Sequence, residues 1–237
     1  MSLPSENKIQ PPAIIPAHGI RSYVLRSGRG TEAQQRAYES LCGKYAINFE
    51  KNIINFNALF GNENPVIAEI GFGMGDATAV IAADNPGRNF LGIEVHKPGI
   101  GKLLLEIEKK ALANIRIIEH DAVEVFEKMI PPCSLDGIHL FFPDPWPKKR
   151  HYKRRLVKRP FTGLLAEGLK PGGYLYMVTD WEDYACWALA ELSATNNLAN
   201  TADGFAPPQH WRPRTSFEKK GLAKNHQVKE LFFTKEQ

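Results

Sequence analysis

The chain has 237 residues, about 1.6 times a typical ~150-residue domain, so one large α/β domain with additions fits better than two equal domains. Hydrophobic residues at 43% and charged residues at 24% exclude a wholly disordered, collagenous or coiled-coil chain. No apolar run reaches the ~18 to 20 residues that cross a bilayer, and no apolar core follows a basic N-terminal start, so a cytoplasmic protein without membrane attachment is expected. Cys42, Cys133 and Cys186 are far apart with no CxxC pair, so neither a disulfide framework nor a metal site is expected.

In chain order, residues 1 to 30 read as a flexible basic arm: Pro4, Pro11, Pro12 and Pro16 come with little apolar periodicity, and Arg21, Arg26 and Arg29 follow. Residues 31 to 237 then read as one domain. A helix is expected from about Thr31 to Cys42. Beyond it, short apolar runs alternate with segments of helix chemistry. Strands are expected at Val66 to Ile70, Asn89 to Glu94, Ile115 to Glu119, Gly137 to Phe142, Tyr174 to Thr179 and Lys229 to Phe233. Helices are expected at Asp76 to Asp84, Lys97 to Asn114, Val123 to Met129, Phe161 to Leu169 and Trp181 to Thr195. Pro171-Gly172-Gly173 should end the Phe161 helix sharply before its strand. This alternation predicts a doubly wound, mostly parallel sheet.

Gly71, Gly73 and Gly75 stand at every second position between an apolar strand and a helix. Glycine there lets the backbone turn tightly and approach a ligand, and the helix N-terminus favours electron-rich groups. A nicotinamide-binding turn would carry a third glycine where Asp76 stands. Glu94, at the end of the next strand, is placed to accept both hydroxyls of a ribose. Asp121, after the following strand, either meets an adenine amine or caps the next helix. Glu69, two residues before Gly71, either sits beside a cationic amine or sulfonium or pairs with a basic side chain.

The segment Phe142-Pro143-Asp144-Pro145-Trp146-Pro147 follows the fourth of these strands. Its prolines stiffen an extended loop that presents a carboxylate and an aromatic face at the carboxyl edge of the sheet. Such an aromatic can stack on a base or sit beneath the loop, and the carboxylate can accept from guanine N–H groups. Immediately afterwards, Lys148 to Arg159 holds eight Lys or Arg and no acid. The whole chain carries 30 basic and 26 acidic side chains, a net charge of +4, so outside this run acids outnumber bases by four. Positive charge concentrated in one self-repelling stretch suits a polyanion such as nucleic acid.

These residues together resemble the bacterial tRNA guanine-N7 methyltransferase family, enzymes with a class I, Rossmann-like, seven-stranded fold that use S-adenosylmethionine. The resemblance is carried by Glu69 to Gly75, Gly92 to Glu94, Phe142 to Arg155, Val178 to Asp180 and Thr215 to Glu218, and spans about Arg21 to Phe233. It implies methyl transfer to N7 of guanosine at position 46, in the variable loop of tRNA. It further implies that Glu69, Gly71, Gly73, Gly75, Glu94, Asp121 and Asp144 contact the cofactor and that Asp144 is the residue assigned to catalysis. Lys148, Arg150, Lys153, Arg154, Arg155, Asp180, Thr215, Ser216, Phe217 and Glu218 would contact the tRNA. Ser216 departs from the family, which usually has a basic residue there; Lys219 and Lys220 follow closely. No metal and no protein partner is called for.

Guanine N7 has an unprotonated lone pair, so its methylation requires no general base and rests on positioning in a site that excludes water. A nicotinamide oxidoreductase would share the early strand, turn and acid pattern, but its third glycine is missing here and it has no use for the basic run. A non-catalytic RNA-binding module would leave the strand-end acids unexplained. A methyltransferase acting on an exocyclic adenine amine would place its prolines differently around the polar residue.

Overall fold

An eight-stranded mixed sheet forms the centre of the computed structural model, which describes residues 21–23, 30–214, 218 and 227–237. The strands are β1 (Ala46–Ile47), β2 (Val66–Ile70), β3 (Asn89–Ile93), β4 (Ile115–Ile118), β5 (Leu135–Phe141), β6 (Leu169–Thr179), β7 (Leu198–Asn200) and β8 (Lys229–Lys235). Their spatial order is β1-β4-β3-β2-β5-β6-β8-β7. β1 to β6 are parallel, and β8 runs antiparallel to both β6 and β7. The doubly wound, mostly parallel expectation therefore holds. The eighth strand is the two-residue β1 on β4, too short to leave a period in the sequence.

The helices are α1 (Glu32–Tyr45), α2 (Phe56–Phe60), α3 (Asp76–Asp84), α4 (Lys97–Lys109), α5 (Ala122–Lys128), α6 (Phe161–Gly168) and α7 (Glu182–Ser193), with a 3-10 turn over Lys149–Arg154. Two apolar cores flank the sheet. Leu103, Leu104 and Ile107 of α4 pack with Ile67, Phe90 and Ile117 on one side. Val125, Leu165 and Ala188, from α5, α6 and α7, pack with Ala68, Leu91 and Ile138 on the other. All five residues of β2 and of β3 are buried, as expected of parallel strands covered on both faces. Each fully buried Leu or Ile contributes about 1.5 to 3 kcal/mol, so this core fixes the strand ends that carry the site.

Local chemistry sets the helix starts. Thr31 and Gln34 form a reciprocal capping box at α1, with the Thr31 amide 2.9 Å from the Gln34 side chain. Gly99 in α4 permits a close approach, since a Cβ there would lie 1.9 Å from the Gly73 carbonyl oxygen. The first turn of α4 is thereby pressed onto the glycine turn after β2.

Two expectations need correction or lie out of reach. Pro171-Gly172-Gly173 does not terminate the helix, because α6 already ends at Gly168. Those residues form an irregular excursion inside β6, where the pairing jumps from Leu135 with Leu169 to Gly137 with Tyr174. The expected arm over residues 1 to 30 lies outside the described residues apart from 21–23 and 30. Among the described residues no helix is long and apolar enough to cross a membrane.

Candidate active site

Chain order reverses between β2 and its neighbour β5, and in open α/β sheets ligands bind beyond the carboxyl strand ends at such a point. Gly71, Gly73 and Gly75 all sit there with positive φ, +71°, +58° and +72°, a conformation that side chains other than glycine strain to adopt. Glu94, just past β3, closes this turn. One carboxylate oxygen accepts from the Gly73 amide at 2.8 Å, and the other accepts from Val95 at 2.7 Å and His96 at 3.0 Å. Burial raises the Glu94 pKa, against the pull of those amides. A carboxylate has about four acceptor positions, so three amides leave capacity for a ligand hydroxyl.

Glu69 is 2% exposed, and its Oε2 has no hydrogen-bond partner. Burial pushes its pKa up to about 7, opposed by the Thr78 hydroxyl and reinforced by the Glu94 charge. Among the described residues it has no basic partner, so no strand-end ion pair is seen there. Asp121 caps α5, accepting from the Val123 amide at 2.8 Å; burial raises its pKa. The capping role is therefore real. An orphaned buried carboxylate oxygen, a positive-φ glycine turn and a second carboxylate locked across that turn make a site that fits a ribose-bearing, cationic cofactor.

The loop after β5 is strained at both ends of its acidic segment, with φ of +53° at Phe142 and +46° at Trp146. The Phe142 amide bonds to the Val178 carbonyl at 2.7 Å, so the start of the loop is pinned to β6. Asp144 and Asp180 are both half-buried at adjacent strand ends. Of the two readings of Trp146, the structure favours the anchoring one. Its indole N–H donates to the Ser22 carbonyl at 3.1 Å, the Arg154 guanidinium lies 5.0 Å above the ring, and His151 meets it edge-on.

The basic run is not uniform. Lys148, Lys149, Arg150 and Lys153 are exposed. His151, set among these cations, has its pKa lowered by desolvation and by Arg150, Arg154, Lys148 and Lys153. Arg159 pairs with Glu191 at 3.2 Å. Arg155 must be withdrawn from the RNA-contacting set, because its side chain is fully buried and bonded to Asp183.

Glu218 also differs from its expected role as a substrate contact: it is 4% exposed and paired with the buried Arg212 at 2.6 and 3.0 Å. Arg212 in turn reaches Glu230 at 3.0 Å and the Tyr176 hydroxyl at 3.0 Å. Glu218 thus fastens its segment to β6 and β8. Thr215, Ser216, Phe217, Lys219 and Lys220 lie outside the described residues. Arg212 was missed by sequence reasoning; its only visible signal was an arginine between Trp211 and Pro213, in a stretch to which no strand or helix was assigned.

A family model described as "Putative methyltransferase" matches residues 63–231. The tRNA (guanine-N(7)-)-methyltransferase of Nitrosomonas eutropha is 54% identical over 216 residues, 91% of this chain and 96% of the relative. The protein of the same name from Bordetella parapertussis is 53% identical over 90% of this chain and 84% of its own length. This chain belongs to the tRNA (guanine-N7)-methyltransferase family. Among solved structures, the 16S rRNA methyltransferase KamB superposes with a TM-score of 0.58 at 15% identity, covering 77% of this chain and 93% of KamB. The antibiotic-resistance methyltransferase Kmr gives 0.54 at 12% identity, covering 81% and 95%. These two likenesses establish a shared methyltransferase fold. Among the described residues no cluster of His, Cys, Asp and Glu could hold a metal ion.

Proposed function

We propose that this chain methylates N7 of guanosine in tRNA, at position 46 in the variable loop, with S-adenosylmethionine as donor. The observation that carries the reading is the junction at β5: the strand-end acids of a cofactor site lie on one side of Asp144, and the exposed cations Lys148, Lys149, Arg150 and Lys153 lie on the other. S-adenosylmethionine, when bound, supplies an electrophilic methyl group on a sulfonium, and transfer to N7 leaves a thioether and a cationic purine. Gly71, Gly73 and Gly75 allow close approach of the backbone, Glu94 accepts from a ribose hydroxyl, and Asp121 accepts from an amine. Glu69 offers a buried carboxylate to the cationic end, where a positive neighbour lowers its pKa and holds it ionised.

Asp144 orients the base by accepting from its N–H edge and offsets the positive charge that develops on the purine. It removes no proton, since N7 has none to lose. Lys148, Arg150, Lys153 and Arg154 steer and hold phosphates, with Asp180 and the segment from Thr215 to Phe217 completing the substrate side. The reading also keeps residues 31–237 as one catalytic domain behind a basic arm, in a cytoplasmic protein that works without a metal or an obligatory protein partner. Nucleoside mass analysis of tRNA incubated with the protein and S-adenosylmethionine tests it. Appearance of 7-methylguanosine mapped to position 46 is expected, and a different methylated nucleoside, or none, overturns it.

A further inference from the structure

The densest cationic stretch of the chain contains one guanidinium that faces the interior. Arg155 has no solvent-exposed surface, which for an arginine beside four exposed cations is unusual. It lies in an aromatic box, 3.6 Å from the Tyr152 ring centroid and 5.1 Å from those of Tyr184 and Trp187. One terminal nitrogen binds Asp183 on α7, whose other contact is the Tyr152 hydroxyl at 3.0 Å. The Nε–H donates to the Pro145 carbonyl at 3.0 Å. Pro145 cannot donate from its own nitrogen, and its carbonyl, in the peptide joining it to Trp146, lies one peptide beyond that of Asp144. The remaining terminal nitrogen is buried without a hydrogen-bond partner, an arrangement that costs stability.

Resting on the methyltransferase reading, we propose that Arg155 is a positioning residue for Asp144. It contacts no RNA. It ties the carbonyl of Pro145, the residue after Asp144, to the rigid start of α7, so that the carboxylate is held in place before substrate arrives. Three observations converge on this. The guanidinium is planar, and its box and its Asp183 partner fix the plane from both sides, so the direction of the Nε–H is set. The loop it holds departs from ordinary backbone at Phe142 and at Trp146, a conformation that persists only where the surroundings enforce it. Arg154, the preceding residue, lies over Trp146. The short turn that would meet RNA on its exposed side thereby grips the Asp144 loop at two points.

The test is a double-mutant cycle of Arg155→Lys and Asp144→Asn in the full chain, read by single-turnover formation of 7-methylguanosine in tRNA with both substrates saturating. Lysine keeps the charge and loses the planar fork and the fixed Nε–H. Arg155→Lys should lower the rate about 10- to 100-fold, the scale of a misplaced reacting group, while tRNA affinity, its salt dependence and S-adenosylmethionine affinity stay at wild-type values. In the Asp144→Asn background the same change should cost less than about threefold, because the group it positions has already been altered. Asp183→Asn loosens Arg155 from the far side and should lower the rate in the same direction by a smaller factor; it carries the cycle if Arg155→Lys fails to fold. An equal cost in both backgrounds marks a merely structural role and overturns the proposal, as does a loss of tRNA affinity with a flatter salt dependence. Wild-type protein that forms no 7-methylguanosine overturns the underlying reading and the positioning role together.

Discussion

The two halves of the carboxyl edge are built in opposite ways. On the side of β2, β3 and β4, the functional acids are held by amides that are near neighbours in sequence: Glu94 by Val95 and His96, Asp121 by Val123, with Gly73 the most distant at 21 positions. On the side of β5 and β6, the loop is held by groups far along the chain: Trp146 by Ser22, Arg155 by Asp183, and Glu218 through Arg212 by Glu230 and Tyr176. A small cofactor of one fixed shape, converted from sulfonium to thioether in each turnover, would be met by short-range geometry. A macromolecular substrate is met by a loop whose shape depends on several elements folding together. Changes on the first side should therefore alter cofactor affinity and leave tRNA binding intact, and changes on the second side should alter methyl transfer or tRNA binding and leave cofactor affinity intact.

The sharpest separation is expected at Asp144. Asp144→Asn should lower single-turnover methyl transfer about a hundredfold, ~3 kcal/mol, with both substrates still bound; rapid-quench assays at saturation would show this, and a wild-type rate would remove its electrostatic role. Next is Glu69, whose pKa of about 7 lies above the ordinary carboxylate value. Its folded-state pKa is raised, so its contribution to stability is fully present below the unfolded pKa and is lost as pH rises through about 7. Without cofactor, Glu69→Gln should therefore be more stable than wild type at pH 8 by at most ~3 kcal/mol, with the gap closing toward pH 5. In the same variant S-adenosylmethionine affinity should fall and lose its rise across pH 6 to 8. Thermal melts and calorimetry over that range would expose a Glu69 that is solvated instead, because neither quantity would change.

A somewhat smaller effect is expected at Glu94. Glu94→Ala removes a charged acceptor and should weaken S-adenosylmethionine binding by about ten- to a hundredfold, ~1.5 to 3 kcal/mol, with tRNA affinity retained. If calorimetry showed equal losses for both ligands, the two halves would not be separable. The smallest effect belongs to the cationic turn. Arg154→Ala should flatten the salt dependence of tRNA binding by up to ~0.7 to 0.9 log units per phosphate contact, leaving cofactor affinity alone. An unchanged slope in filter-binding titrations would reduce this face to solvated charge.

The sequence by itself determined the parallel core, because β2, β3 and β4 are short, mostly apolar runs bounded by turn residues, and the acids Glu94 and Asp121 follow β3 and β4 at short offsets. It also determined the glycine turn and the stiff loop around Asp144, since Gly and Pro write backbone geometry directly into the residue type. β1, α2 and β7 were not legible, being two, five and three residues long and so shorter than the periods that betray a strand or helix. Which way each cation points was decided only by the tertiary structure. Arg154 and Arg155 are adjacent and chemically identical, yet one covers Trp146 at the edge of the cationic face and the other is sealed among Tyr152, Tyr184 and Trp187. Their difference is set by the direction of successive side chains on a short turn packed against α7, thirty residues away, and no local pattern encodes a partner at that range. Arg212 and Glu218 follow the same rule: their pairing lies in a loop without period, and its burial exists only because β8 returns beside β6.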